Sequence, residues 1–555
     1  MTSQVSQPTG AATAADAAPA SEHTRAAAGG ILPWVGLGLV GLGAALVFWV
    51  FDALPFQDLP AHAGLIAMRH RFADSAFEQR FFVLAPHIGP YSLFRFLGEV
   101  FVRVIGPVGA VRAIATLPVV ATPLALLFAR RTLHGDRSPI AGFFGVAMAF
   151  GLMTLLGFAS YLLGVAVMLV GLTLWLDLLA RADAAPHAKA TRRREILMAV
   201  FAPLMFVGHG HAFVLFLVLA GVSCLVAGDR RARLLRLRAL VPAVGLAAYV
   251  AWLERGTTTP SGSVAVVAKG GAMVPHFQGG ADKLSLLFTP TLLTRSGVDI
   301  VAGIALWALL IGASITTIRA LRAPALASGL SGGVAAAEAD ARSRAHSRSL
   351  YAGALVISLL FLALPHAIGW FGFVDGRLVP IVLYLAILGF RRESLGRFGR
   401  VLDRGAPAIA TTMVLVALGA SYRFQDEARG FHEILAEVPR EARLLNLPLD
   451  PNSATFTAHP FIHYDKLVLA ERPIVVSDIW FHQGSALYPT PQNPALRLPD
   501  SYSESDLHVI DWPAYKLQDW DYVLVRTRPE GSAPPPPAAL ELADHRGGWW
   551  LYRRR

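Results

Sequence analysis

The chain has 555 residues, of which 54% are hydrophobic and only 16% are charged. This apolar share exceeds what the core of a globular protein requires, so the composition predicts a polytopic membrane protein. The net charge of +11 would suit a nucleic-acid-binding protein, but the arginines stand in short clusters between apolar runs. Membrane topology explains that distribution better, and no nucleic-acid partner is expected.

The N-terminal region predicts a tail followed by a first membrane span. Residues 1–30 are rich in Ala, Thr and Ser and lack the pattern of a cleavable signal peptide, which predicts a disordered cytoplasmic tail. Residues 31–51 carry no charge and, at about 1.5 Å per residue, cover roughly the 30 Å of bilayer hydrocarbon. A first loop, 54–107, contains two amphipathic stretches, at about 58–72 and 91–105, which we expect along the membrane interface.

Ten further spans are predicted from the apolar runs. They lie at about 108–129, 139–157, 160–180, two short spans within 197–228, and then 238–253, 297–318, 350–368, 379–390 and 405–421. The run 197–228 receives two spans because basic segments flank it on both sides, and both should be cytoplasmic. With eleven spans and a cytoplasmic N-terminus, the arginine clusters fall on one side. The loop 254–295 and everything after residue 422 then lie outside, in the periplasm of a bacterium, with the chain in the inner membrane.

The last 130 or so residues differ from the apolar region in their sequence pattern. Short β-rich runs at 474–476, 522–525 and 549–552 alternate with helical stretches and Pro/Gly loops, which predicts a periplasmic α/β domain over 423–555. The predicted fold class is therefore a polytopic α-helical membrane module, 31–422, with about eleven transmembrane helices and a C-terminal α/β domain. His459, His463 and His482 have no metal-site spacing, and we expect them to be surface or packing residues.

Asp58 and His62 stand four residues apart just beyond the first span, hence on one face of a helix. On one face they could share a proton or a divalent cation such as Mg or Mn, which makes both candidates for catalysis and Asp58 a candidate metal ligand. The alternative is that Asp58 only caps the helix, since Asp is a preferred N-cap residue.

His209 and His211 lie where the two short spans of 197–228 are predicted to meet. Ionisable groups at membrane depth tend to face a cavity, and the neighbouring glycines would permit close backbone approach. A two-residue spacing cannot place both rings on one helix face, so we expect at most one of them in a site.

Cations outside the apolar runs are the candidates for binding an anionic substrate. The loop 254–295 carries Arg255, Lys269 and Lys283 among Gly, Ser and Thr, and a loop of this length often acts as a lid or binding element. Arg377 stands in the turn before the span 379–390, at the hydrocarbon boundary. There it could bind a phosphate through its planar fork or act as an interfacial anchor beside Trp370.

The chain as a whole resembles the lipid-dependent glycosyltransferases of the GT-C superfold. The features that carry the resemblance are a first-loop Asp just beyond span one, an interfacial helix pair, about eleven spans, an Arg-containing turn before a late span and an outer α/β domain. The resemblance implies transfer of a sugar from a polyprenyl-phosphate carrier to an acceptor on the outer membrane face. It places Asp58 as the first-loop acidic residue and Arg377 as the late-loop arginine that holds the donor phosphate. Many members have an acidic pair in that loop, whereas Gln57 precedes Asp58 here, which favours the base role over metal binding.

Two other classes stay open at the level of sequence. A transporter or flippase of lipid-linked glycans would use the same basic cavity without needing Asp58 as a base. A non-enzymatic membrane protein of envelope assembly is the third alternative. The sequence defines neither the donor sugar nor the acceptor, which could be a glycan, a lipid or a protein.

Overall fold

The structure is a computed structural model that describes residues 30–84, 88–226, 228–256, 274–323, 333–369, 371–479, 487–499 and 501–555. Four expectations lie outside these residues: the tail over residues 1–29, Lys269, Trp370 and His482. The side chain of Arg255 is also outside the described part, although its backbone belongs to a helix.

The first part of the chain forms four helices and a short strand. They are α1 (Ile31–Leu46), α2 (Leu59–Arg71), α3 (Ala76–Phe81), β1 (Phe82–Leu84) and α4 (Ser92–His134). The second predicted amphipathic stretch and the predicted span 108–129 are thus one long helix, α4, with a kink at Gly106. The φ of Gly106 is +69°, a left-handed value that glycine adopts without steric cost, and Pro107 follows it.

The predicted span 139–157 differs from a continuous helix. It consists of α5 (Ile140–Ala147) and α6 (Leu152–Leu155), separated by an extended Gly151. A Cβ at Gly151 would lie 2.3 Å from the carbonyl oxygen of Thr289, so close backbone packing interrupts the helix there. Because eight residues of α-helix cover only about 12 Å, α5 alone is too short to cross a bilayer. Both short helices are buried in the protein interior.

The remaining helices of the apolar region follow in chain order. They are α7 (Ala159–Ala184), α8 (Lys189–Gly208), α9 (Gly210–Val226), α10 (Arg230–Leu234), α11 (Val241–Gly256), α12 (Gly280–Ser285), α13 (Val298–Arg322), α14 (Gly333–Ala363), α15 (Leu378–Gly389) and α16 (Phe398–Glu427). Two-residue strands β2 (Pro275–His276) and β3 (Ala367–Ile368) pair antiparallel. As predicted, the run 197–228 is broken at His209, which separates α8 from α9.

Within the described residues, six helices are long and apolar enough to cross a membrane. Five belong to α4, α7, α13, α14 and α16, and the sixth runs over 230–253. The helices α1, α9 and α15 are apolar but shorter, at 10–17 residues. The helical architecture of the predicted membrane module is therefore present.

The C-terminal region contains helices α17 (Phe431–Ala436) and α18 (Leu467–Glu471) and a five-stranded sheet. The remaining strands are β4 (Arg443–Pro448), β5 (Val475–Val476), β6 (Leu487–Pro489), β7 (Tyr522–Arg526), β8 (Leu540–Arg546) and β9 (Trp549–Arg554). The sheet order is β5-β4-β7-β9-β8, with β5, β4 and β7 parallel and the last two strands antiparallel. Three of these strands are the β-rich runs predicted from the sequence.

The C-terminal domain packs directly against the first loop. Strand β6 pairs antiparallel with β1, and the Tyr464 hydroxyl donates a 2.9 Å hydrogen bond to the carbonyl oxygen of Leu54. Arg71 donates to the carbonyl oxygen of Leu469 at 2.7 Å. Helix α2 approaches most closely at Gly64, where a Cβ would lie 2.9 Å from the carbonyl oxygen of Lys466. The first loop and the C-terminal domain therefore form one packed unit.

We predict that Gly64→Ala destabilises this unit. The added methyl group would meet backbone, which moves less easily than a flexible side chain, so overpacking should cost about 1–2 kcal/mol despite the better helix propensity of Ala. The midpoint of thermal unfolding of the detergent-solubilised protein measures this effect. Gly38→Ala in α1 is the matched control, because nothing lies within 4 Å of that Cβ position. Equal midpoints for both variants would contradict the close packing of α2.

Candidate functional site

A cavity of about 490 Å³ lies between the apolar helices, the first loop and the C-terminal domain. The residues that line it come from distant parts of the chain, and four of them were predicted as site residues: Asp58, His62, His209 and Arg377. Several aromatic and aliphatic side chains complete the wall, including Phe94, Phe158, Tyr161 and Ile462. The cavity therefore combines a mainly apolar lining with a few ionisable groups, as is typical of small-molecule sites.

Asp58 is placed in the cavity by backbone contacts. Its N–H donates to the carbonyl oxygen of Leu156 at 3.2 Å, and the N–H of Gln57 donates to the carbonyl oxygen of Leu155 at 2.9 Å. Gly157, with φ +79°, allows this approach, since a Cβ there would lie 2.7 Å from the Asp58 nitrogen. Only a glycine combines that backbone conformation with that contact at no steric cost.

The carboxyl group of Asp58 does not act as a helix cap. Asp58 occupies the N-cap position of α2, but its side chain makes no capping hydrogen bond. The residue is only 8% exposed. Burial raises the pKa of Asp58 to about 6, against the opposing charges of His463 and Arg377 and a hydrogen bond from Gln57. Asp58 is thus a carboxylate at neutral pH, and its pKa lies close to neutral pH. Such shifted pKa values are common at functional sites.

Arg377 is buried without hydrogen-bond partners for part of its guanidinium. It directly precedes α15 and is 5% exposed. Its guanidinium carbon lies 4.2 Å from the ring centre of Phe371 and 4.5 Å from that of Phe158. Among the described residues, its Nε and Nη1 atoms have no hydrogen-bond acceptor. Because a buried cation with unused donors is costly, this arrangement favours an anionic ligand at Arg377.

The two histidines at the break between α8 and α9 have different surroundings. His209 lines the cavity, with its ring centre 5.0 Å from that of Tyr91 and 5.4 Å from that of Tyr161. His211 does not line it; its ring lies 6.2 Å from Phe371. Of these two rings, that of His209 is the one that lines the cavity.

His62 also reaches the cavity, where its ring centre lies 4.6 Å from that of Phe94. Its backbone N–H donates to the carbonyl oxygen of Asp58 at 3.0 Å, so both residues share the first turn of α2, as the sequence predicted.

Lys283 lies outside the cavity lining. Its ammonium is 3.3 Å from an oxygen of Asp375 and donates to the carbonyl oxygen of Leu364 at 2.7 Å. Asp375 also contacts the Nδ1 of His366 at 2.9 Å. Lys283 therefore supports the turn that carries Arg377 and does not itself reach the cavity.

The structure adds residues that the sequence analysis did not select. Arg69 and Arg95 line the cavity from α2 and α4, and their place in the amphipathic stretches of the first loop was the available signal. His463 is buried, and its Nε2 lies 3.7 Å from an oxygen of Asp58. The expectation of a surface or packing role for His463 missed this contact, because no local sequence pattern connects it to the first loop.

A metal ion at Asp58 has little support from its surroundings. Across the described ranges, no group of three or more His, Cys, Asp or Glu side chains is arranged to hold a metal ion. His463 lies 3.7 Å from an oxygen of Asp58, and its other ring nitrogen faces Glu504 at 3.2 Å. One carboxylate and one imidazole do not make the oxygen-rich set that Mg or Mn prefers.

Comparison with known proteins yields similarities in structure only. No protein-family model and no curated protein sequence matches the chain. A solved structure of the archaeal oligosaccharyltransferase AglB from Archaeoglobus fulgidus, in complex with an inhibitory peptide and a dolichol-phosphate, is similar at a TM-score of 0.43 and 12% identity. The similarity covers 89% of this chain and 69% of that one. A structure of an Archaeoglobus fulgidus oligosaccharyltransferase in complex with Zn and sulfate is similar at a TM-score of 0.43 and 13% identity. That similarity covers 88% of this chain and 68% of the other.

The arabinofuranosyltransferase AftD from Mycobacteria is similar at a TM-score of 0.47 and 17% identity. The similarity covers 93% of this chain and 40% of that one. Both neighbours are polytopic GT-C glycosyltransferases, the superfold that the sequence was found to resemble. Since six helices of the described residues are long and apolar enough to cross a membrane, the chain is a multi-pass membrane protein. Identity this low carries no information about substrates, which must be argued from the side chains of the site.

We predict that Arg377→Leu stabilises the ligand-free protein. Leucine removes a buried cation with unused donors, so the midpoint of thermal unfolding should rise, by on the order of 1 kcal/mol in stability.

Arg130→Leu is the matched control at another buried arginine. The Arg130 guanidinium pairs with Asp136 at 2.7 Å, so its loss should cost about 3–5 kcal/mol. A large destabilisation by Arg377→Leu as well would show that Arg377 is a structural residue.

Proposed function

We propose that the chain is an inverting membrane glycosyltransferase that moves a sugar from a polyprenyl-phosphate carrier to an acceptor on the outer face of the inner membrane. The observation that carries this proposal is the presence, in one buried cavity, of an ionisable Asp58 and of Arg377 with unused donors. Such a pair provides a base for one reactant and a cation for the other.

The proposed reaction is a single displacement at the anomeric carbon. The Asp58 carboxylate accepts the proton of the acceptor hydroxyl as its oxygen attacks that carbon. The bond to the carrier phosphate breaks on the opposite side of the sugar, and the phosphate leaves with the bonding electrons. Arg377 stabilises the charge that develops on this phosphate, since its planar fork matches phosphate oxygens and its site excludes water. Displacement in one step inverts the configuration of the sugar.

The other predicted site residues receive secondary roles in this proposal. His62 and His209 line the same cavity and are proposed to contact the sugar or the acceptor as neutral hydrogen-bonding groups. Lys283 is proposed to act indirectly, by holding Asp375 and the turn before α15. The apolar side chains of the lining are proposed to contact the polyprenyl chain.

The proposal assigns Asp58 the role of base and not that of a metal ligand. Within the part of the chain that the structure describes, Asp58 belongs to no group of three or more metal-ligating side chains, and its contact His463 is an imidazole. The mechanism therefore uses only side chains of the chain itself.

We also propose the arrangement in the membrane that this reaction requires. The chain would cross the bilayer about eleven times, with α5 and α6 together making the crossing over 139–157. The N-terminus would lie in the cytoplasm, and the first loop, the loop 254–295 and the domain 423–555 in the periplasm. The contact between the C-terminal domain and the first loop supports a common side for both. Arginine clusters between the predicted spans support a cytoplasmic location for the opposite loops.

The transfer reaction predicts a specific effect of Asp58→Asn. The amide is nearly isosteric but cannot accept the proton, so kcat should fall by about 10² or more while the affinity for the carrier stays within about twofold. The assay supplies purified protein with polyprenyl-phosphate sugars and measures released polyprenyl phosphate.

The control for this assay is Asp52→Asn, which changes an exposed carboxylate shortly before the first loop and should retain full turnover. Turnover of Asp58→Asn close to that of the unsubstituted protein would contradict the proposed base. Binding of a lipid-linked glycan without release of lipid phosphate would favour the transporter or flippase alternative.

The proposed topology predicts the location of reporter fusions. Fusions after residues 135, 190, 234 and 395 should report a cytoplasmic location, because arginine clusters are retained on that side. Fusions after residues 275 and 430 should report a periplasmic one. A cytoplasmic signal after residue 430 would contradict the parity of the proposed spans.

A further inference from the structure

The C-terminal domain places the side chain of His463 against the carboxyl group of Asp58. The Nε2 atom of His463 lies 3.7 Å from the Oδ1 atom of Asp58, and both residues are buried. His463 belongs to a short turn of helix over 460–466 that packs against α2. The imidazole therefore faces the group that we propose as the base.

The opposite edge of the imidazole is held by a fixed carboxylate. The Nδ1 atom of His463 lies 3.2 Å from Glu504, which itself accepts hydrogen bonds from Lys466 at 2.6 Å and from the Tyr502 hydroxyl at 3.0 Å. Asn446 donates a further hydrogen bond to Glu504 at 3.0 Å. The Ser477 hydroxyl is a fourth donor, at 3.4 Å. The position of Glu504 is thus set by donors other than His463, and the imidazole has a preferred orientation.

The charges around His463 favour its protonated form. Burial and Lys466 oppose that form, but the carboxylates of Glu504 and Asp58, and the hydrogen bond to Glu504, raise the pKa of His463 overall. Although burial opposes it, the charges of Lys466 and His463 hold the pKa of Glu504 at about 2. Two further acids interact with Glu504, Asp465 and Asp478, and burial is the chief cause of the raised pKa of each. Glu504 is therefore the anion that accompanies His463.

Two cations act on Asp58, from different directions. His463 approaches from the C-terminal domain and Arg377 from the turn before α15, and both oppose the effect of burial on the carboxyl group. When a phosphate binds, Arg377 is partly neutralised by its ligand. His463 is then the cation that still favours the carboxylate form of Asp58.

We propose that His463, oriented by Glu504, is a positioning residue that keeps Asp58 ionised in the cavity, so that the C-terminal domain completes the site. The significance of this for catalysis rests on the proposed function, in which Asp58 must be ionised to accept a proton. The charge interaction itself belongs to the ligand-free protein and does not depend on any reaction.

The test is the titration of Asp58 in the substrate-free, full-length protein by infrared difference spectroscopy. The carboxylic acid band that disappears in Asp58→Asn identifies the group, and its midpoint should lie near pH 6. In His463→Gln the nearby cation is lost, so the midpoint should rise by about one pH unit or more. Glu504→Gln retains the imidazole but removes its anion, so the midpoint should rise by less.

The matched control is His508→Gln, a change of the same kind at an exposed histidine of the same domain, and its midpoint should equal that of the unsubstituted protein. If His463→Gln does not fold, the Glu504→Gln midpoint carries the test. An unchanged midpoint in folded His463→Gln, or in Glu504→Gln if only that variant folds, would overturn the proposal.

The transfer assay distinguishes this inference from the proposed function. If both hold, the acid limb of kcat/KM should move to higher pH in His463→Gln, and turnover should recover at alkaline pH, where Asp58 ionises without help. A purely structural role of His463 would instead lower turnover equally at all pH values and would overturn the proposal. Absence of transfer by the unsubstituted protein would refute the proposed function, whereas the substrate-free titration would still decide the role of His463.

Discussion

Close backbone contact around Asp58 is the constraint on which the rest of the site depends. Gly157 has a left-handed conformation and lies so near Asp58 that a Cβ would overlap it. On the other side, Gly64 lets α2 pack against the backbone at Lys466. The first loop is thereby held between the apolar helices and the C-terminal domain, and the carboxyl group is removed from water.

Burial determines the pKa and the hydrogen bonding of the few charged groups of the cavity. Asp58 has a raised pKa, and Arg377 stands among aromatic rings with donors that no described residue accepts. Neither arrangement favours stability by itself, since a buried charge is costly unless it is paired. Both arrangements suit the proposed function, in which Arg377 binds an anion and Asp58 accepts a proton. Elsewhere a buried charge is paired, as Glu78 is with Arg71 at 2.6 Å.

The sequence predicted those features that follow from local patterns. The helix that begins near Leu59, the break between two helices at His209 and three strands of the C-terminal sheet were recognisable because periodicity, glycine and β-branched runs act over short distances. The span 139–157 was predicted as one segment, yet it is two short helices. Hydropathy does not record the contact of Gly151 with the Thr289 backbone that interrupts it.

By itself, the sequence determined the membrane character of the chain, its helical module with a C-terminal sheet domain, and the candidacy of Asp58 and Arg377, because hydropathy and charge placement are properties of short segments. Only the tertiary structure decided which of these residues share a cavity. The tertiary structure also brought His463 next to Asp58, which depends on contact between parts of the chain some four hundred residues apart in sequence. It also placed Lys283 on Asp375 and away from the cavity, since ion pairs form between neighbours in space, which sequence spacing does not specify.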